Sequence, residues 1–209
     1  MVQYETVWVE YPDIAPLLQA ASVAPNDKTA SPWPYTLPAI RLSDGKMIMG
    51  SSAIVERLVA MHPTPELHLD SPYLPRVSEL FSSIYAATDA IIIHGVPDLI
   101  LNDASKPYFL EDRKKTLEQS CEAYMQARER EHMLDAVQRH IRELGKVLRE
   151  NGEGPFVLGG SVSYADVMIV GWMKFWVRLG VLEEMVKADP QPLKLLLEAS
   201  QQWIARDDV

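Results

Sequence analysis

Thr36-Leu37-Pro38-Ala39-Ile40-Arg41-Leu42-Ser43-Asp44-Gly45-Lys46-Met47-Ile48-Met49-Gly50-Ser51-Ser52-Ala53-Ile54 is the stretch on which the fold turns. Asp44-Gly45 sits between two short apolar runs and favours a tight hairpin turn, so residues 37–42 and 47–49 read as paired strands. Gly50-Ser51-Ser52 follows, and Ala53, Ile54, Val55, Leu58 and Val59 continue as a helix with a serine as its expected cap. Upstream, Tyr4-Glu5-Thr6-Val7-Trp8-Val9-Glu10 is rich in β-branched and aromatic residues and predicts a short strand. Pro12 and Asp13 then open a helix through Ile14, Leu17 and Leu18. Pro25, Pro32 and Pro34, with Asn26, Asp27 and Ser31, mark a loop. The order strand, helix, strand, strand, helix describes a small α/β unit over residues 1–64.

The strand signals stop near Ser71. Residues 72–101 read as a helix interrupted at Gly95–Pro97, and a second long helix is expected from about Leu110 to Glu150. Leu134, Val137, Ile141, Leu144 and Leu148 alternate spacings of three and four, the pattern of a face turned to a bundle core. Residues 152–160 are turn-rich. Ser163-Tyr164-Ala165-Asp166 has the form of a capping box, with Val162 and Val167 placed as a hydrophobic staple. Residues 167–178 are almost uniformly apolar and predict the buried centre of the bundle, and Pro190–Pro192 starts a last helix ending near Arg206. Residues 71–209 therefore form an all-helical second domain.

Composition narrows the function classes. Lys and Arg number 20 against 29 Asp and Glu, a net charge of −9, so no basic face offers counterion release to a nucleic acid. The apolar stretch at 86–101 is cut by Thr88, Asp89, His94 and Asp98, short of the roughly 20 apolar residues a membrane span requires. The first residues lack the basic and apolar regions of a signal peptide, and one cysteine, Cys121, makes no internal disulfide. The expectation is a soluble cytoplasmic protein. The five histidines show no metal-ligand spacing, so no metal is expected. Cys121 reads as a buried mid-helix residue rather than a nucleophile.

The order Thr36-Leu37-Pro38-Ala39-Ile40, hairpin, Ser51-Ser52-Ala53-Ile54, then an all-helical half, resembles the glutathione S-transferases. Pro155-Phe156-Val157-Leu158-Gly159-Gly160 through Ser163-Tyr164-Ala165-Asp166 is similar to that family's C-terminal helix-capping motif, and the resemblance covers essentially the whole chain. Residues 4–14 further resemble fungal Ure2-like members, including those of polyketide and other natural-product gene clusters. The implied fold class is α/β plus all-α: a thioredoxin-like N-terminal domain followed by a helical-bundle C-terminal domain. The resemblance implies a cis peptide at Leu37–Pro38, whose exposed backbone would pair with the cysteinyl part of glutathione. It places the γ-glutamyl carboxylate on Ser51 and the amide of Ser52, where a helix N-terminus favours an anion. Lys28 is placed to reach the glycyl carboxylate, and Tyr85, Asp89, Trp172 and Trp176 to line a hydrophobic substrate pocket. Each has a plainer alternative: a trans proline leading into a strand at Leu37–Pro38, simple helix caps at Ser51 and Ser52, and core packing for the aromatic residues.

Two departures from the family pattern stand out. Met1 falls almost at the start of the family's second strand, so the first strand and helix, with the residue that activates the glutathione thiol, are expected to be missing. Gly50 occupies the position where the family usually has an acid or amide. No catalytic residue is therefore assigned. The resemblance implies a glutathione transferase acting on a small hydrophobic electrophile, by conjugation or by glutathione-dependent cis–trans isomerisation in fungal secondary metabolism, as a homodimer. The alternative is a non-catalytic binding or regulatory module of the same fold.

Overall fold

The computed structural model describes residues 4–29, 31–152 and 154–204. They form two compact units: residues up to Pro65 together with Leu101–Asp112, and Glu66–Ile100 together with the chain from Arg113 onward. Sequence reasoning expected a single division between residues 64 and 71. The return of 101–112 to the first unit rests on long-range bonds that no local pattern announces. Tyr11 N donates to Ser105 Oγ at 2.9 Å, Asn102 Nδ2 to Glu10 Oε1 at 2.7 Å, and Trp33 Nε1 to Asp112 Oδ2 at 3.1 Å. The Tyr11 ring also meets Phe109 edge-on at 5.8 Å.

In the first unit, α1 (Tyr11–Ala20) has Pro12 in its first turn, where a missing N–H costs nothing, and buries Leu18 fully. Strands β1 (Ala39–Arg41) and β2 (Met47–Met49) pair antiparallel, with Ala39 opposite Met49 and Arg41 opposite Met47. The hairpin closes through Gly45, whose N–H donates to Leu42 O at 2.9 Å. Helix α2 (Ser51–Met61) buries Ile54 and Val55 and packs on both strands. Two expectations fail here. The cap of α2 is Gly50, and the expected serine cap is absent because Ser51 and Ser52 already lie inside the helix without a capping bond. Residues 4–10, expected as a strand, join no ladder, and Tyr4, Val7 and Trp8 are 77%, 69% and 67% exposed. β-propensity describes fit against a pleated neighbour, and the two-stranded sheet supplies none for this segment.

The second unit is a helical bundle. Its central helix α3 (Tyr73–Leu99) packs against α5 (Cys121–Gln126), α6 (Arg130–Arg149) and α7 (Tyr164–Arg178). The interruption expected at Gly95–Pro97 does not occur. Pro97 falls in the last turn, and the bare Gly95 lets Leu179 approach, since a Cβ there would stand 3.2 Å from the leucine Cδ2. One 18-residue stretch of α3 has a mean hydropathy of 1.2, apolar enough to cross a bilayer, yet half of it is buried inside the unit. That burial makes it the core helix of a bundle, with Val77, Phe81, Ile84, Ile91 and Ile92 inside.

The single helix expected from 110 to 150 is three: α4 (Lys106–Leu117), α5 and α6. Glu118 takes a positive φ of 56° after α4, and Ser120 caps α5 by accepting from Ala123 N at 3.1 Å. Cys121 is consequently the first residue of α5 rather than a mid-helix one; it is buried, and that burial pushes its thiol pKa up. On α6, Val137, Ile141, Leu144 and Leu148 are buried as the spacing indicates, whereas Leu134 is only half-buried and the adjacent Met133 lies in the core. Helix α7 is not buried all round: Ile169, Met173 and Trp176 face the core, while Val167 and Val177 are about half exposed. The last helix divides into α9 (Pro190–Ala199) and α10 (Gln201–Ile204), preceded by the short α8 (Leu182–Met185); the expected end near Arg206 lies outside the described residues.

Asp166 carries the start of α7. Its Oδ1 accepts from Val157 N at 2.7 Å, and its Oδ2 accepts from Ser163 N and Ser163 Oγ, both at 2.7 Å. Burial pushes the Asp166 pKa above the ordinary 3.8, against hydrogen bonds from Ser163 and Val157 that favour the anion. Truncation leaves two backbone N–H groups and a hydroxyl unpaired, so Asp166→Ala is expected to cost about 2–3 kcal/mol in urea unfolding. An unchanged unfolding midpoint would remove Asp166 from this role.

His140 on α6 supplies a pH dependence. Burial first, and the Arg139 charge second, hold its pKa below the ordinary 6.5, and its Nε2 accepts from Arg139 Nε at 3.1 Å, which requires the neutral ring. The unfolded chain therefore binds this proton more readily. Stability from this site is present above pH 6.5 and is lost as pH falls through the lower folded value. His140→Gln is expected to flatten that part of the stability profile between pH 7.5 and 5, measured by urea unfolding at each pH; a parallel profile in the variant contradicts it.

Candidate functional site

In the first unit the turns at residues 36–38 and 49–51 lie side by side. The Leu37–Pro38 peptide is cis, as the family resemblance implied. Pro38 O accepts from Gly50 N at 3.0 Å, joining the two turns directly. Leu37 is 41% exposed, and among the described residues neither its N–H nor its C=O has a hydrogen-bond partner. Ser51 and Ser52 are exposed in the first turn of α2, which holds no acidic residue. Free N–H groups, the positive end of the helix dipole and two hydroxyls therefore meet a ligand-accessible backbone edge. This arrangement can hold an anionic group at one end and an extended peptide backbone at the other.

Further residues that sequence reasoning did not single out shape the same place. Thr36 N donates to Met49 Sδ at 3.3 Å. Asn26 Nδ2 donates to Trp33 O at 3.0 Å and Thr36 Oγ1 at 3.3 Å. A loop asparagine and a strand methionine carry no periodic or motif signal, so only the folded chain reveals them. Lys28 stands exposed in the turn where Thr29 N and Oγ1 donate to Asp27 Oδ1 at 2.7 and 2.6 Å. Among the described residues no hydrogen bond or ion pair joins Lys28 to the Leu37 or Ser51 turns. Two carboxylates of this unit have lowered pKa values: Glu10, through Asn102 and Ser105, and Asp27, through Thr29.

The second unit carries an aromatic recess of about 370 Å³, lined by Ser78, Phe81, Ser82, Tyr85, Met168 and Trp172. Phe81 and Trp172 stack with ring centroids 5.4 Å apart and planes 6° apart, and Tyr85 tilts against Trp172 at 6.3 Å. Of the four residues expected to form a pocket, Tyr85 and Trp172 share this recess. Trp176 does not line it, because it is fully buried beneath Phe81 and Trp172 in the core. Asp89 is held instead by Tyr124, whose hydroxyl donates to its Oδ2 at 2.6 Å; burial and that bond push the Tyr124 pKa up and keep it a donor. Among the described residues, no group of three or more His, Cys, Asp or Glu is placed to hold a metal ion.

Residues 79–202, more than half the chain, match the family model described as "Glutathione S-transferase, C-terminal domain". This chain belongs to the glutathione S-transferase superfamily. A relative over nearly its full length is the "Glutathione S-transferase-like protein ustS" of Aspergillus flavus, 26% identical over 220 residues that span 97% of this chain and 79% of the relative. Among solved structures, the glutathione S-transferase CsGST83044 of Ceriporiopsis subvermispora, crystallised with glutathione, matches with a TM-score of 0.76. That match covers 96% of this chain and 85% of the other at 22% identity. The glutathione transferase GSTFuA3 of Phanerochaete chrysosporium matches with a TM-score of 0.74 at 23% identity, covering 98% and 82%. The fold is accordingly that of the glutathione S-transferases, with an α/β first unit and a helical second unit.

Within this glutathione S-transferase fold, Gly50 holds φ 92° and ψ 132°, a region that residues with a side chain rarely enter, although a Cβ there would meet nothing within 4 Å. Gly50→Ala is therefore expected to destabilise by about 1–3 kcal/mol through backbone strain alone. The loss should appear as faster amide exchange across residues 49–54. Wild-type stability and exchange in the variant would show that the turn tolerates a side chain.

Proposed function

We propose that this protein is a glutathione-dependent enzyme acting on small hydrophobic electrophiles in fungal secondary metabolism. The observation that carries the reading is the unpaired, exposed backbone of Leu37 bonded through the Gly50–Pro38 contact to a helix start bearing Ser51 and Ser52. Glutathione has the matching chemistry: an extended γ-linked peptide with a carboxylate at each end. In this reading Leu37 pairs its N–H and C=O with the cysteinyl backbone, Ser51 Oγ and the Ser52 N–H hold the γ-glutamyl carboxylate, and Lys28 supplies a point charge for the glycyl carboxylate. Phe81, Tyr85, Met168 and Trp172 offer the second unit's apolar surface for the electrophile. The Ceriporiopsis protein of like fold was crystallised with glutathione, and the Aspergillus relative extends the likeness to a glutathione S-transferase-like protein of another fungus.

The reaction class is addition of the glutathione sulfur to an activated carbon, giving a conjugate, or cis–trans isomerisation when the thiol is expelled again after bond rotation. Both need the electrophile held, and the recess offers an apolar surface for holding it. The second reading is a binding module without turnover. A homodimer, the state the family resemblance implies, belongs to the same proposal.

Calorimetric titration with reduced glutathione tests the reading. The wild-type chain is expected to bind saturably, and Ser51→Ala to weaken binding about 10–100-fold, the loss of one hydrogen bond to a charged group, with an unchanged circular dichroism spectrum. No heat at millimolar glutathione, or equal affinity in the variant, overturns the assignment of this site. Binding with neither consumption of thiol nor cis–trans isomerisation across a panel of α,β-unsaturated carbonyl compounds selects the non-catalytic reading.

A further inference from the structure

We infer that Met49 is a positioning residue for the peptide ligand, acting through its sulfur on the backbone of Thr36. The inference rests on the reading of the Leu37–Ser51 site given above. Met49 closes the β1–β2 ladder opposite Ala39, one residue before the Gly50 turn. Its side chain runs back past the beginning of β1, and Sδ accepts the Thr36 N–H at 3.3 Å. Thr36 immediately precedes Leu37, the residue whose backbone edge is open. The turn is thus gripped on two sides, by Met49 at the Thr36 N–H and by Asn26 at the Thr36 hydroxyl, 3.3 Å away. The bond from Gly50 N to Pro38 O ties its far end to the start of α2.

A thioether is a weak acceptor, and its importance here comes from the alternative. Thr36 N–H is partly buried, so removing the sulfur leaves a donor with neither protein nor full water access. Such a donor is satisfied by moving, and movement of Thr36 carries Leu37 with it. Asn26 still holds the hydroxyl, which limits the displacement and sets the expected effect at a partial loss of affinity rather than collapse of the site.

Met49→Leu keeps the apolar volume and deletes the acceptor, whereas Met49→Gln keeps the length and replaces the sulfur with a carbonyl oxygen. Calorimetry with reduced glutathione, and NMR amide exchange of Thr36 in the ligand-free proteins, separate the possibilities. In Met49→Leu, affinity is expected to fall about fivefold and Thr36 exchange to accelerate about tenfold, with Met49→Gln restoring both toward wild type. Wild-type affinity in Met49→Leu overturns the inference. Equal loss in both variants also overturns it, because packing rather than the acceptor would then be at work. If the wild type takes up no glutathione, the site reading fails by itself, and unaccelerated Thr36 exchange in Met49→Leu still decides against Met49.

Discussion

The Asp166 carboxylate is 1% exposed and accepts three hydrogen bonds, from Val157 N, Ser163 N and Ser163 Oγ. Burying a charge costs several kcal/mol unless donors replace the lost water, and three at 2.7 Å within one short segment offset part of that cost. The return is geometric. The carboxylate fastens the 150s turn to the first turn of α7, and Tyr164 N reaches further to Leu67 O at 2.8 Å, so the first residues of the second unit are tied to the same point. Everything that α7 presents inherits this anchorage, including Trp172 stacked on Phe81 and Trp176 in the core. The aromatic recess is therefore a consequence of how α7 begins.

The first unit is held differently. Its buried apolar side chains are few, Leu18, Ile54, Val55 and Phe109, whereas the second unit buries most of α3, α6, α7 and α9. Polar ties take over: Glu10 accepting from Asn102 and Ser105, Trp33 donating to Asp112, and Asn26 and Met49 gripping Thr36. Each such bond contributes about 1 kcal/mol net, so the unit sits at the end of the stability range where local opening is cheap. A ligand bridging Leu37 and Ser51 would add contacts to the unit, and its binding energy would appear partly as stabilisation of the unit.

How much of this was legible beforehand follows the range of the interactions. The Asp-Gly hairpin, the helix after Gly50, the core face of α6 and the capping box at Ser163 are written within a few residues of chain, and each lies where its local pattern put it. The strand expected at 4–10 fails because strand formation needs a neighbour, which propensity cannot supply. The long helix expected over 110–150 fails at Glu118 and Ser120, where a positive φ and a serine cap interrupt a pattern that hydrophobic spacing alone does not break. At the candidate site, the cis turn at Leu37–Pro38 and the helix start at Ser51 and Ser52 were legible because motif and turn coincide. Asn26 and Met49 were not, since their bonds to Thr36 span 10 and 13 residues of loop and hairpin. Trp176 shows the limit of residue type: an aromatic four residues from Trp172 on α7 points into the core while Trp172 meets the recess.

Gly50 connects the sequence departure to the chemistry of the site. An acid or amide at this position would supply a partner for a ligand's amino group, but φ 92° with ψ 132° is a conformation that such a residue enters only at a cost of about 1–3 kcal/mol. The glycine is thus tied to the shape of the turn, and restoring the side chain alone would shift the N–H that bonds Pro38 O. In the proposed reading, recognition leans on the carboxylate end of a ligand, through Ser51, Ser52 and the helix start, and on the backbone edge at Leu37. Such contacts would fix a peptide's position while leaving its thiol to be governed by whatever surrounds it, so positioning is the larger part of what a site of this shape could contribute.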